Sequence, residues 1–131
     1  MGEHEPLAPE IEDSARVGVD CALKVHRNLG PGLIESVYEA CLCHELGKSG
    51  IPYAVRDPIP IVYDGERLDQ YLRPDIVVTS HLIVELKAAD ALLPIHEAQT
   101  LTYLRITGLR LALLINFNVI RIKHGIRRLI L

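Results

Sequence analysis

Apolar positions recur along this chain first at helical spacing, then at strand spacing. From Glu10 onward, Ile11, Ala15, Val19, Ala22, Leu23, Val25 and Leu29 keep returning to one broad face, as an amphipathic helix requires. Glu10, Glu12 and Asp13 crowd its start, where the helix dipole favours negative charge. Gly30-Pro31-Gly32 ends this helix and opens a second, with Pro31 suited to a first helical position. The second helix is expected over roughly residues 33–48, with Leu33, Val37 and Cys41 as its inward stripe and Leu42 and Leu46 as further candidates. Ser49-Gly50 breaks it. Residues 58–63 read as a strand near a sheet edge, given their two prolines. Asp64-Gly65 is a hairpin turn signal, and residues 67–71 form the return strand. A second hairpin follows: the runs Ile76-Val77-Val78 and Leu82-Ile83-Val84 flank a polar break at Thr79, Ser80 and His81. Asp90 and Pro94 precede a third helix over residues 95–107, stopped by Gly108. Residues 109–115 are almost continuously apolar, as in a strand covered on both faces. Coming after a helix, that strand should lie parallel to the second hairpin strand through a right-handed crossover. Residues 119–123 and 126–131 complete the sheet as strands, with a turn at His124-Gly125. The fold class is α/β (α+β).

Composition narrows the class. A chain of 131 residues is one domain, read here as residues 10–131 behind a flexible tail at 1–9 that contains Pro6 and Pro9. With 49% hydrophobic residues, one Phe and no Trp, its core is aliphatic. No apolar stretch reaches the about 20 residues of a spanning helix, so no membrane partner is expected. The acidic start lacks the basic and apolar regions of a signal peptide, and Pro6 stands where a myristoylation signal needs Ser or Thr. Cys21, Cys41 and Cys43 form no disulfide framework, so reduced thiols and a cytoplasmic location are the default. Cys41-Leu42-Cys43-His44 is a poor zinc site: helix residues two apart face different ways, and no second cluster completes four ligands. A net charge of −3 excludes a protein that coats nucleic acid through bulk charge. Arg121, Lys123, His124, Arg127 and Arg128 nevertheless cluster near the C-terminus, either guarding an edge strand or forming a phosphate-facing strip.

The candidate chemistry sits on the second hairpin. If Thr79, Ser80 and His81 form the loop, Val78 faces Leu82 and Asp75 lies directly opposite Glu85; a two- or four-residue loop would shift this pairing. Lys87 then points the same way as Glu85. Directly opposed residues have Cβ atoms about 4.5–5.5 Å apart, and like charges there are destabilising. A divalent cation between the carboxylates removes that cost, whereas the plain alternative is a charged solvent-facing hairpin. Glu35 and Tyr38 share a helix face, and a Glu in a first turn is by itself explained by the helix dipole. His96, Gln99 and Tyr103 form one polar stripe on the third helix, which on pattern alone faces solvent. His26 and His44 read as ordinary helix residues. No nucleophile elbow or phosphate-binding glycine loop is present.

These residues also carry a resemblance. Pro74-Asp75 and Glu85-Leu86-Lys87 resemble the PD-(D/E)XK motif of the restriction-endonuclease-like superfamily. Gly32-Leu33-Ile34-Glu35-Ser36-Val37-Tyr38 is similar to the pattern that names the GxxExxY protein family, a branch of that superfamily. The likeness continues through Glu97-Ala98-Gln99 to Tyr103 and through Asn116-Phe117-Asn118, spanning roughly residues 15–130. It implies an αβββαβ core, a mixed central sheet flanked by helices, and a metal-dependent nuclease acting on DNA or RNA. It implies Mg²⁺ or Mn²⁺ ligated by Asp75, Glu85 and the Leu86 carbonyl, with Glu35 bound directly or through water. Lys87 would orient or activate the attacking water, and Gln99 and Tyr103 would turn to the site and position phosphate or water. Many nucleases of the superfamily act as dimers, so a homodimer is among the states open to this chain. Competing readings are a catalytically inactive nuclease-fold module that binds nucleic acid or protein, a structural homo-oligomer, and another metal-dependent hydrolase using the same acids.

Overall fold

The first apolar face becomes helix α1, Pro9–Leu29, in a computed structural model that describes residues 5–131. Residues 1–4 of the expected tail, including Gly2, lie outside the described residues. Of its remainder, Leu7 packs against the core, and the carbonyls of Glu5 and Pro6 accept hydrogen bonds from the Arg110 guanidinium. Helix α1 buries Ala15, Gly18, Cys21, Ala22 and Val25.

Helix α2, Glu35–Lys48, starts later than its apolar pattern suggests. Gly30-Pro31-Gly32 is a loop rather than a helix start: Gly30 and Gly32 both take positive φ, at +70° and +100°. The inward stripe is also corrected. Tyr38, Leu42 and Leu46 are buried, while Leu33 and Val37 are exposed at 40% and 37% and Cys41 is half-buried. The rotation follows Tyr38, whose ring stacks on Phe117 with centroids 4.8 Å apart. Its hydroxyl donates to the Gly30 carbonyl at 2.6 Å and accepts from the Leu33 amide at 3.1 Å.

Strand β1, Tyr53–Val55, has no counterpart in the apolar pattern. Strands β2, Ile59–Tyr63, and β3, Glu66–Leu72, form a separate two-stranded hairpin. Its turn places Asp64 and Gly65 both at positive φ, the geometry of a type I′ turn. The main sheet continues with β4, Ile76–Val78, and β5, Leu82–Lys87. Helix α3, Pro94–Thr107, follows and stops at Gly108 in the left-handed region. Strand β6, Leu111–Asn116, is buried throughout and runs parallel to β5, as the crossover rule requires. Strand β7, Ile126–Ile130, closes the five-stranded order β1-β4-β5-β6-β7. Helix α2, strands β1, β4 and β5, helix α3 and strand β6 thus follow the αβββαβ order, with the β2–β3 hairpin inserted after β1.

Residues 119–123 are not a strand. They bend into a short 3₁₀ turn at Ile122–His124. The buried His26 ring holds the Val119 carbonyl at 2.7 Å, and the Asn116 amide donates to the Gly125 carbonyl at 2.8 Å, which curls the segment back. Of the C-terminal basic residues, Arg128 pairs with Glu12 at 2.8 Å and Arg127 donates to the His124 carbonyl, both around the edge strand β7. Among the described residues, no helix is long and apolar enough to cross a membrane.

Alternation along β5 decides where the chemistry points. Leu82, Val84 and Leu86 enter the larger core with α1 and α2; Ile83 enters a smaller one with Leu104 and Ala112 under α3. Glu85 and Lys87 therefore lie on the α3 side of the sheet.

Candidate active site

The β4–β5 ladder has the register of a three-residue loop: Val78 opposes Leu82, Val77 opposes Ile83 and Ile76 opposes Val84. Thr79 and Ser80 turn the chain at positive φ, and the His81 amide closes on the Val78 carbonyl at 3.0 Å. One step beyond the last ladder pair, side chains take over from the backbone. The Asp75 amide donates to Glu85 Oε2 at 2.7 Å, and the Leu86 amide donates to Asp75 Oδ2 at 2.9 Å. Each carboxylate is thus anchored next to the other by a neutral N–H, and among the described residues the second oxygen of each has no protein donor.

Burial sets the electrostatics. Glu85 is 6% exposed, and its carboxyl is pushed up to about 8, first by burial and then by the charge of Asp75. Burial likewise raises Asp75, against the pull of the Leu86 amide and with repulsion from Glu39. Glu35, an exposed residue whose carboxyl is only partly desolvated, is raised by that desolvation and then by Asp75, with Lys87 acting the other way. Burial, then Glu85 and Asp75, raise the Tyr103 hydroxyl. Glu35, Asp75, Glu85 and Lys87 are therefore linked through their charges, and Tyr103 feels Glu85 and Asp75, although they come from α2, the hairpin and α3. Gln99, one turn before Tyr103, is exposed and its side chain makes no hydrogen bond among the described residues. His96, at the start of the same stripe, accepts the Leu93 amide at 3.0 Å and caps the helix. The Leu86 side chain is fully buried in the larger core.

All the candidate donors are oxygens, the hard type that suits Mg²⁺ or Mn²⁺. Among the described residues no three His, Cys, Asp or Glu side chains converge into a ready-made cation cage. A pair of carboxylates is the smaller set that Mg²⁺ commonly uses, the rest of its shell being water and substrate phosphate. Cys21, Cys41 and Cys43 are free thiols. A cavity of about 460 Å³ lies at the turn end of the hairpin between Tyr53, Val77, Thr79, Thr107 and Leu109, and includes none of the clustered acids.

Two features of the site lie beyond what the sequence assigned: an ion pair it did not point to, and a role for a segment known there only by resemblance. The first is an ion pair: Arg56 NH1 and NH2 meet Glu39 Oε2 and Oε1 at 2.6 and 2.7 Å. Glu39 lies four residues after Glu35, and that spacing on one helix face was its available signal. The second is a clasp formed by Asn116-Phe117-Asn118. Asn116, 2% exposed, accepts the Ala89 amide at 3.1 Å and donates to the Ala89 carbonyl at 2.9 Å. The Phe117 amide donates to the Lys87 carbonyl at 2.9 Å, and Asn118 Oδ1 accepts the Gly32 amide at 3.1 Å. Together with the Phe117–Tyr38 stack, these bonds tie the loop after Lys87 to the loop before Glu35.

A family model for the PD-(D/E)XK nuclease superfamily matches residues 12–129. No curated protein and no solved structure matches the chain. A match over nearly the full length, on a fold whose central hairpin opens onto Asp75 and Glu85 with Lys87 beside them, means that this chain belongs to the PD-(D/E)XK nuclease superfamily.

Proposed function

We propose that this chain is a metal-dependent nuclease that hydrolyses phosphodiester bonds of nucleic acid, of the GxxExxY branch of its superfamily. The observation that carries the reading is Glu85: a carboxyl 6% exposed, beside a second carboxyl, in no ion pair among the described residues. A buried acid without a cation is costly, and structures keep such groups chiefly where they work. Asp75 and Glu85, with the Leu86 carbonyl and Glu35 directly or through water, would hold Mg²⁺ or Mn²⁺. When bound, the ion supplies Lewis-acid polarisation of the phosphodiester and lowers the pKa of a water. Lys87, on the same face as Glu85, orients the attacking water and offsets negative charge that develops on the phosphoryl oxygens. Tyr103, and Gln99 from the same stripe, position phosphate or water by hydrogen bonds. Water adds to phosphorus, one P–O ester bond breaks, and the products are a phosphomonoester and an alcohol. The three free thiols suit a reducing, cytoplasmic setting.

The test combines calorimetric titration of Mn²⁺ with cleavage of single- and double-stranded DNA and RNA. Wild type is expected to bind Mn²⁺ and Glu85→Ala to lose that heat. Asp75→Ala, Glu85→Ala and Lys87→Ala should each lose at least about 10²-fold in cleavage with circular dichroism unchanged. Full activity in Asp75→Ala, or no Mn²⁺ heat in wild type, would refute the proposal. One observation favours a second reading, the inactive binding module: no three-ligand cage is preformed among the described residues. That module requires Mg²⁺ and Mn²⁺ to change neither melting nor cleavage.

A further inference from the structure

We propose that Arg56 is a phosphate-binding residue of this site, presented to the nucleic-acid backbone beside the acids and oriented by Glu39. The assignment rests on the nucleic-acid reading above and extends it to a residue outside the superfamily motif. Three observations carry it. First, Arg56 follows β1 directly and takes φ 48°. A residue with a side chain enters that left-handed region only where its surroundings impose it, and such positions concentrate at functional sites. Here the imposing contacts are the Arg56 amide bonds to the carbonyls of Pro74 and Asp75, each 3.1 Å. The backbone of Arg56 is therefore fastened to the residue that carries the first acid.

Second, the ion pair is lopsided. The Glu39 side chain is 13% exposed and that of Arg56 is 53% exposed. Glu39 takes one N–H from each terminal nitrogen, two of the five donors a guanidinium carries. Among the described residues no other side chain or backbone carbonyl accepts from Arg56. Three of its five N–H groups are left without an acceptor among the described residues, on a side chain about half exposed. Third, the neighbourhood is short of positive charge. Glu35, Asp75 and Glu85 repel a polyanion, and the chain as a whole carries −3. Among the described residues, Lys87 and Arg56 are the cations whose charge acts on Glu35 and Asp75. A planar, permanently charged fork matches phosphate geometry, and here it meets a phosphate of the substrate strand next to the hydrolytic centre.

The competing account is a strut, an ion pair that only joins α2 to β1. The two accounts differ in sign. A strut is broken equally by Arg56→Gln and Glu39→Gln, so both variants would weaken binding or leave it unchanged together. A phosphate contact is lost in Arg56→Gln but gains in Glu39→Gln, which frees the fork and removes a negative charge. The assay is fluorescence anisotropy of the full chain with labelled single-stranded DNA, duplex DNA and single-stranded RNA, in EDTA, from 50 to 200 mM KCl. For whichever oligonucleotide binds, Arg56→Gln should weaken binding roughly tenfold, as loss of a charge-assisted contact does. Its plot of log affinity against log salt should flatten by about one unit. Glu39→Gln should tighten binding several-fold with the wild-type slope. If Arg56→Gln fails to melt cooperatively, the sign in Glu39→Gln decides alone.

Variants that shift in the same direction, or an unchanged slope in Arg56→Gln, overturn the assignment. Cleavage by wild type together with binding indifferent to Arg56 overturns it and leaves the nuclease standing. Binding that needs Arg56, from a wild type that never cleaves with Mg²⁺ or Mn²⁺, upholds it and overturns the nuclease. Absence of binding by wild type to every oligonucleotide overturns both.

Discussion

Replacing Glu85 by Gln should make this chain more stable, by a margin that opens above about pH 4.5 and grows toward pH 8. The wild-type carboxyl sits near 8 against an ordinary 4.5, raised by burial and then by Asp75. The folded chain therefore keeps a proton that the unfolded chain releases above pH 4.5. Stability linked to this group is complete below pH 4.5 and is lost as pH climbs toward 8. The loss runs at about 1.4 kcal/mol per pH unit, so over the interval it reaches on the order of 4–5 kcal/mol at most. Asp75 and Glu35 are raised too, so their linkage has the same sign and overlaps with this loss. Gln has the same shape, can accept the Asp75 amide through its oxygen, and carries no charge to bury. Urea unfolding in EDTA, in half-unit steps from pH 4.5 to 9, measures the difference. The two proteins should be close at pH 4.5, and Glu85→Gln should lead at pH 8.5 by roughly 2–4 kcal/mol. Adding Mg²⁺ at pH 8.5 should restore wild type and leave the variant unmoved, because the cation takes the place of the proton. A flat wild-type profile, or a variant less stable than wild type at pH 8.5, refutes the reasoning.

The clasp and the turn behind it yield two further expectations. Asn116→Ala leaves the Ala89 and Asn118 amides without their acceptor and the Ala89 carbonyl with only the Asn118 side-chain amide at 3.3 Å, so denaturant unfolding should show a loss of about 2–3 kcal/mol. Gly125→Ala needs no unusual backbone, since φ there is −98°, but its Cβ would lie 2.1 Å from the Asn116 carbonyl oxygen. Backbone cannot swing aside like a side chain, so the melting temperature should fall by the equivalent of about 3 kcal/mol, the upper end of overpacking costs.

What the sequence made legible was local. The hairpin register could be read because the apolar runs are symmetrical about a polar break, and β6 because six consecutive buried residues leave little alternative. Asp75, Glu85 and Lys87 followed from that register. The inward face of α2 could not be read so directly. Leu33, Val37, Cys41 and Tyr38, Leu42, Leu46 are adjacent stripes of one helix, and the choice between them falls to Phe117, far along the chain. Strand β1 is three residues long and is held by β4 and by the Thr79 amide on the Pro52 carbonyl, so it has no pattern of its own. Residues 119–123 alternate like a strand, but the His26 bond to Val119 and the close approach at Gly125 override that preference. The Arg56–Glu39 pairing is long-range in the same way: the spacing from Glu35 puts Glu39 on the site's helix face, but nothing local points to Arg56.

The arrangement of the acids also bears on how variants should be interpreted. Three carboxyls that repel one another cannot be what draws α2 and the hairpin together. Among the described residues the ion pairs are Arg16–Asp13, Arg56–Glu39 and Arg128–Glu12, and none includes Glu35, Asp75 or Glu85. The convergence is imposed by neutral groups: the amides of Asp75 and Leu86, the Asn116 bonds to Ala89, the Asn118 bond to Gly32 and the Tyr38–Phe117 stack. Replacing Glu35, or replacing Asp75 by Asn and Glu85 by Gln so that each backbone amide keeps an acceptor, therefore relieves repulsion and leaves the scaffold standing, whereas replacing a clasp residue loosens the scaffold and moves every acid at once. Loss of cleavage in a stable acid variant can then be assigned to chemistry, and loss in an Asn116 variant to geometry.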